Sequence, residues 1–201
     1  MAKEEYSKQE KSKSLINFAR DDAQTICELK RISRRTDGDG QQKANATVEK
    51  ILGNIKENGD IALIKYTEVF DGFKPIPMAI NGKDLKNAWD QTPKALQESL
   101  RLAHDRIKSF HQKQIPLDIQ VQGCEGENIS RKWRPVKKAG IYIPGGRASY
   151  PSTVLMNAIP AQVAGVEEIV MVSPASTNGK INKTVLAAAY LAGIKRVFRV
   201  G

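Results

Sequence analysis

A glycine pair follows a short apolar segment in the stretch YIPGGR (142–147). Glycine at the end of a strand lets the backbone approach a ligand closely, and the free amides of a following helix bind anions. The spacing matches neither the G-x-G-x-x-G nor the Walker A motif, so a tight turn without a ligand explains it equally well. Tyr142 alternates with Ile141 and Ile143. It is therefore either a core tyrosine or a ring that packs on a nucleotide.

The two histidines do not form a recognisable catalytic or metal site. His104 and His111 are seven residues apart on one predicted helix, so about 10 Å separates them along the helix axis. One metal does not easily bridge that distance, and the i, i+4 spacing of a helical zinc pair is absent. Glu167 and Glu168 are adjacent ahead of a strand and project to opposite faces. We therefore assign no catalytic and no metal-ligating residue in this chain.

The composition is that of a soluble globular protein. The 201 residues are 40% hydrophobic and 27% charged. No apolar run approaches the roughly 20 residues of a membrane-spanning helix, so we expect no membrane association. The first twenty residues lack the apolar core of a secretory signal. Cys27 and Cys124 are too distant in sequence for a C-x-x-C metal site, so we expect a reducing compartment, the cytoplasm.

Much of the net charge of +10 lies in the run RKWRPVKK (131–138). Such a run can bind nucleic acid or another polyanion. A solvated strand and loop surface is the more common explanation, and only Trp133 could stack on a base there. We expect a small-molecule substrate and no nucleic-acid partner. A non-catalytic basic binding module remains the alternative.

The first half of the chain has the pattern of a helical module. Residues 15–35 predict one or two short helices, and TDGDGQQ (36–42) predicts a loop. Apolar residues at helical spacing in 48–55 predict a helix that Asn58-Gly59 ends. Thr92-Pro93 predicts the capped start of a long helix, because proline favours the first helical position.

In the second half, strands alternate with helices. A solvated strand is predicted at 127–136. After it come predicted strands at 139–143, 167–173 and 195–200 and predicted helices at 152–164 and 180–192. Ser152 is the predicted N-cap of the first of these helices and Pro160 a predicted kink.

This alternation predicts parallel strands with right-handed crossovers, which is half of a doubly wound nucleotide-binding fold. Ligands of such folds bind at the carboxyl ends of the strands. Because the chain stops one residue after the third strand, we expect an incomplete polypeptide. We also expect the third strand, 196–200, to be exposed and to promote association.

The fold class is therefore α/β, with a helical module followed by an incomplete parallel βαβαβ sheet. Residues 1–44 are assigned to an N-terminal tail and helices. Residues 45–136 are assigned to the helical part of a first domain with a solvated strand. Residues 137–201 are assigned to the opening half of a nucleotide-binding domain.

Residues 134–201 resemble the histidinol dehydrogenase family, most specifically in the block YIPGG…YPSTVLMNAIPAQVAG. NGDIALIKYTEVFDGF (58–73) and RIKSFHQKQIP (106–116) resemble the same family in the same order. The resemblance runs from about residue 30 to the end. It implies a Rossmann-like NAD-binding domain in an NAD-dependent, zinc-containing homodimer. Such an enzyme oxidises L-histidinol to L-histidine in histidine biosynthesis.

The resemblance also implies site residues. Tyr142 and Pro144 match the family loop that contacts NAD, and Phe70 would line the same cleft. The family's zinc ligands, acid/base pair and most substrate contacts match no residue of this sequence. We therefore expect the chain alone to be inactive. A relative that acts on another amino or sulfonated alcohol remains an alternative.

Overall fold

A computed structural model of the chain describes residues 22–33, 39–145 and 149–201. These residues group into two compact units, divided between Glu57 and Asn58. The first unit contains α1 (Asp22–Ser33) and the first part of α2 (Asp39–Asp71).

The helix predicted at 15–35 is confirmed for the twelve residues of α1. The remainder of that range lies outside the described residues. The loop predicted at 36–42 is wrong from residue 39 onward, where α2 has already begun. Residues 36–38 lie outside the described part.

The backbone of α2 departs from helical geometry at Gly59, with φ 54° and ψ −134°. Glycine adopts a positive φ without the steric cost that other residues pay. The end predicted at Asn58-Gly59 is therefore confirmed as an interruption. Helical structure resumes in the second unit and continues to Asp71.

The rest of the second unit alternates helices with short strands. Its remaining helices are α3 (Gly82–Asp90), α4 (Lys94–Gln112), α5 (Pro151–Val163) and α6 (Lys183–Leu191). Its strands are β1 (Ala79–Ile80), β2 (Ile119–Gln122), β3 (Asn128–Arg131), β4 (Lys138–Tyr142), β5 (Glu168–Ser173) and β6 (Arg196–Arg199).

Four strands form one sheet in the order β1-β6-β5-β4. β4 pairs parallel with β5, and β5 pairs parallel with β6, which confirms the predicted βαβαβ arrangement. The prediction that the third strand is an open edge is wrong. β1 pairs antiparallel with β6, placing Ala79 opposite Phe198 and Ile80 opposite Val197. A two-residue strand between prolines has too little periodicity to be recognised in the sequence.

The helices pack in a layer on the sheet. α5 and α6 connect neighbouring parallel strands in chain order, so both lie on one face of the sheet. They contact each other, α3 packs on α6, and α4 packs on α5. Trp89 of α3 lies against Tyr190 of α6, with ring centroids 6.3 Å apart. Most of the largest fully buried side chains come from the sheet and α5: Ile143, Val154, Leu155, Ile159, Met171, Val197 and Pro75.

Two of the predicted helix caps are wrong. The Thr92 hydroxyl donates to the carbonyl of Ala88 at 2.8 Å, so it closes the end of α3 and does not cap α4. Ser152 lies inside α5, which begins at Pro151 with no side-chain cap. Pro160 lies within α5. Proline is favoured at this first helical position, because an amide there would have no partner within the helix.

β2 and β3 form a separate antiparallel hairpin. β3 confirms the solvated strand predicted at 127–136, whereas β2 was not predicted. Every residue of both strands is exposed. Val121 pairs with Ile129, so these apolar side chains share one face of the hairpin.

Within the described residues, no helix has both the length and the apolar character needed to cross a membrane.

Candidate ligand-binding site

A cavity of about 630 Å³ opens at the carboxyl edge of the parallel strands. This is the edge at which ligands of doubly wound sheets bind. The walls come from the segment after β4, the segment after β5 and the first turn of α6. Its lining includes Pro144, Gly145, Ser173, Lys180, Lys183 and Val185.

Gly145 brings the segment after β4 into close contact with the segment after β5. A Cβ atom at this position would lie 2.6 Å from Cγ and 2.9 Å from the carbonyl oxygen of Pro174. Only glycine avoids this overlap. Gly145 therefore forms part of the cavity wall in close contact with Pro174.

Tyr142 ends β4 with 54% of its surface exposed, whereas Ile141 and Ile143 on either side are buried. The core-tyrosine interpretation is therefore wrong. Among the described residues that line the cavity, Pro144 is present and Tyr142 is not. The Tyr142 ring thus lies at the strand end, two residues before the cavity wall.

Phe70 is 65% exposed and stacks on Tyr66 with ring centroids 6.0 Å apart. It does not belong to the described lining of the cavity. The residues after it come nearer, because a Cβ on Gly72 would lie 3.7 Å from Cγ2 of Thr177, which does line the cavity.

Arg199 fixes the segment between β5 and α6. Its Nη1 donates to the carbonyl of Gly179 at 2.9 Å, and its Nη2 donates to the carbonyl of Pro77. The guanidinium lies over the Phe73 ring, 5.9 Å from its centroid. Gly179 has φ +72°, and a Cβ there would lie 3.3 Å from the Phe73 ring. Arg199 thereby holds one wall of the cavity against the 72–78 segment.

The Asp71 carboxylate lies beside Gly201, near the carboxyl edge of the sheet. The amide of Gly201 donates to its carboxylate, but burial outweighs this bond and raises the pKa of Asp71. Its Oδ2 is buried without a partner among the described residues. A Cβ on Gly201 would lie within 2.9 Å of both Asp71 and Pro174. Asp71 therefore packs tightly where β6 ends.

Glu168 and the two histidines do not line this cavity. Glu168 bonds Lys138 at 2.8 Å and also bonds Arg196, and these two cations hold the pKa of Glu168 below its ordinary value. His104 contacts Asp105, and His111 contacts Gln114. The described residues contain no group of three His, Cys, Asp or Glu side chains that could hold a metal. They therefore do not fit a zinc site.

Several side chains of the basic run 131–138 have local partners. Arg134 pairs with Asp118 at 3.1 Å. The hydrogen bond from the Trp133 amide, and then the bond from Arg134, lower the pKa of Asp118. Arg131 lies over the Trp133 ring, and Lys138 pairs with Glu168. These contacts favour the solvated-surface interpretation over a polyanion site.

Ser173 and Lys180 were not singled out from the sequence. A usable signal existed, because Ser173 ends a predicted strand and Lys180 begins the next predicted helix, which places both near the carboxyl edge of the sheet. The sequence assigns no such role to a lone serine or lysine, since each is common in loops.

The comparisons with known proteins agree on one family. The family model described as histidinol dehydrogenase matches residues 34–201. Histidinol dehydrogenase of Prochlorococcus marinus strain MIT 9312 is 56% identical over 201 residues, which is 100% of this chain and 45% of that protein. The protein of the same description from strain MIT 9313 is 57% identical over 188 residues, which is 94% of this chain and 42% of that protein.

A solved structure, that of histidinol dehydrogenase from Elizabethkingia anophelis, matches with a TM-score of 0.74 and 35% identity. The match covers 78% of this chain and 36% of that chain. The present chain thus spans less than half the length of these relatives and corresponds to an N-terminal part of them. The family match and the sequence identities show that this chain belongs to the histidinol dehydrogenase family.

Proposed function

We propose that this chain forms the NAD-facing part of a histidinol dehydrogenase, which oxidises L-histidinol to L-histidine. The cavity at the carboxyl edge of β4 and β5 carries this proposal. Its volume of about 630 Å³ suits a nucleotide-sized ligand, because small-molecule pockets commonly measure about 300–1,000 Å³. Gly145 lines this cavity in close contact with Pro174.

In this proposal, Tyr142 and Pro144 contact NAD. The exposed Tyr142 ring offers an apolar face for a base or a ribose, and Pro144 continues that surface into the cavity. NAD supplies the hydride acceptor, and residues 137–201 act as the opening half of a Rossmann-like domain that orients it. These residues bind and position the cofactor.

The described residues contain no suitable ligand set for zinc. We propose that zinc, the acid/base groups and most histidinol contacts belong to polypeptide equivalent to the part of the relatives that this chain does not span. We also propose that the whole enzyme acts as a homodimer in the cytoplasm.

A chimaera tests the proposal. Residues 1–201 replace the matched 45% of the Prochlorococcus marinus MIT 9312 protein, and NADH formation is measured with histidinol and NAD. We expect activity from the chimaera and none from the 201-residue chain alone. Tyr142→Ala should raise the KM for NAD about tenfold because an aromatic contact is lost. Tyr142→Phe, which keeps the ring, should change it little.

Circular dichroism establishes that each protein is folded. A folded chimaera without activity toward histidinol contradicts the proposal. Activity only toward another amino or sulfonated alcohol would assign the chain to the alternative substrate class. NADH formation by the 201-residue chain alone would contradict the placement of the catalytic groups elsewhere.

A further inference from the structure

The turn between β5 and α6, residues 176–180, forms one wall of the cavity at the carboxyl edge. Ser176, Thr177 and Lys180 of this turn line the cavity. The amide of Gly179 donates to the carbonyl of Ser176 at 2.7 Å, and the amide of Ser176 donates to the carbonyl of Lys180 at 3.1 Å. The turn is therefore closed by its own backbone bonds.

These internal bonds give the turn its shape but do not fix its position on the sheet. Among the residues that the structure describes, Nη1 of Arg199 donates the hydrogen bond that ties the turn to β6, and the acceptor is the carbonyl of Gly179 at 2.9 Å. Gly179 has φ +72°, which glycine adopts without steric cost. The Arg199 guanidinium therefore anchors this wall of the cavity.

The same side chain also holds the entry to β1. Its Nη2 donates to the carbonyl of Pro77, and the backbone amide of Arg199 donates to the carbonyl of Met78 at 3.0 Å. Pro77 and Met78 lead directly into β1, which pairs with β6. Arg199 thus joins three parts of the chain, namely β6, the entry to β1 and the turn 176–180.

An aromatic ring supports the guanidinium. The guanidinium carbon of Arg199 lies 5.9 Å from the centroid of Phe73, which is within the range of a cation–π contact. Phe73 also contacts the turn, because a Cβ on Gly179 would lie 3.3 Å from its ring. The ring and the two carbonyls together hold the guanidinium in one orientation.

The chemistry of these contacts requires arginine. No ion pair involves Arg199 among residues 22–33, 39–145 and 149–201, and its buried Nε has no partner there. The bonding therefore comes from the two Nη groups. A guanidinium donates in fixed directions from a planar fork, whereas the single ammonium of a lysine is a point donor. A lysine at this position would not serve both carbonyls equally well.

We propose that Arg199 is a positioning residue for the dehydrogenase reaction, because it fixes the turn 176–180 against β6 and the entry to β1. Arg199 is not among the described residues that line the cavity, so it acts through the turn and not by contact with a ligand. Its role in the reaction rests on the proposed function, whereas its anchoring of the turn does not.

Hydrogen–deuterium exchange of the 201-residue chain measures the anchoring. Arg199→Met removes both Nη donors and keeps an unbranched side chain. The amides of Ser176, Gly179 and Lys180 should then exchange about tenfold faster, because the loss of a hydrogen bond from a charged group shifts the local opening equilibrium by about that factor. Arg199→Lys should give an intermediate rate. Amides of α4 should keep the rates of the parent chain.

Arg196→Met is the matched control, because it removes the same group from the same strand at the amino edge, where Arg196 bonds Glu168. It should leave exchange of the turn within about twofold. Exchange of the turn that is unchanged in Arg199→Met, or equally fast in both variants, would overturn the proposal. Acceleration that extends equally to α4 would also overturn it, since general destabilisation explains that result. If circular dichroism shows Arg199→Met to be unfolded, Arg199→Lys decides by the same criteria.

The chimaera described above measures the role in the reaction. Arg199→Met should raise the KM for NAD about fivefold and leave kcat within about twofold, because a displaced wall weakens cofactor binding in the ground and transition states alike. A purely structural defect would instead lower the amount of active enzyme, and hence the apparent kcat, at an unchanged KM.

An unchanged KM in an active Arg199→Met chimaera would overturn the role in the reaction. An inactive parent chimaera would contradict the proposed function, and the exchange measurement would then decide by itself whether Arg199 anchors the turn.

Discussion

Single residues decide the shape of the cavity. Gly145 touches Pro174 so closely that no side chain fits between the two segments. Gly140, five residues earlier on β4, has no atom within 4 Å of an added Cβ. Two glycines in neighbouring parts of the same segment therefore have different roles. The first permits a tertiary contact, and the second occupies a position that tolerates a methyl group.

Gly145→Ala should lower the free energy of unfolding by about 1–3 kcal/mol, because the added methyl group overlaps with Pro174. It should also weaken NAD binding by moving the cavity wall. Gly140→Ala is the control and should change the stability by less than about 1 kcal/mol. Urea unfolding measures both variants, and equal losses of stability would contradict the role assigned to the Pro174 contact.

At the scale of the elements, one carboxylate joins the three parallel strands. Glu168 of β5 bonds Lys138 of β4 and Arg196 of β6 at the amino edge of the sheet. Because these cations favour the ionised form, the pKa of Glu168 lies below its ordinary value of about 4.5. A carboxyl group with a lowered pKa stabilises the fold above its unfolded pKa and loses this effect as the pH falls through its folded pKa.

Glu168→Gln should therefore lower the thermal unfolding midpoint at about pH 7, and the difference from the parent chain should shrink at about pH 3. Glu167→Gln is the control, because the Glu167 carboxylate forms no ion pair within the described part of the chain. Added salt should reduce the effect of Glu168→Gln. A difference that persists unchanged at low pH would contradict the ion-pair explanation.

At the scale of the whole molecule, exposed apolar surface favours association. The open strand edge is not β6, as the sequence suggested, because β1 covers it. The β2-β3 hairpin instead presents Ile119, Val121 and Ile129 on one face, 45%, 57% and 69% exposed, with Arg131 opposite Ile119. Its other face carries polar side chains such as Ser130. Apolar side chains grouped on one exposed face promote self-association.

We expect the 201-residue chain to self-associate in size-exclusion chromatography with light scattering. Ile129→Lys should shift it toward the monomer, because it replaces the most exposed apolar side chain of this face with a charge. Ser130→Lys adds the same charge on the opposite face and should have a smaller effect. A parent chain that is already a monodisperse, cooperatively folded monomer would contradict this prediction, and so would equal shifts in the two variants.

The sequence by itself determined the alternation of strands and helices after residue 137 and the edge of the sheet at which the cavity opens. The type of each element follows from the periodicity of neighbouring residues. The arrangement of the strands follows because connections between parallel strands are right-handed. The YIPGG segment could also be recognised as a candidate site segment, because glycine after an apolar strand is a local signal.

Only the tertiary structure decided how distant segments meet. The pairing of β1 with β6, the bonds from Arg199 to Gly179 and Pro77, and the contact of Gly145 with Pro174 each join parts of the chain far apart in sequence. The same holds for the cavity that gathers Ser173, Lys180 and Pro144. Local periodicity gives the direction and type of an element, but packing of the whole chain determines which side chains become neighbours.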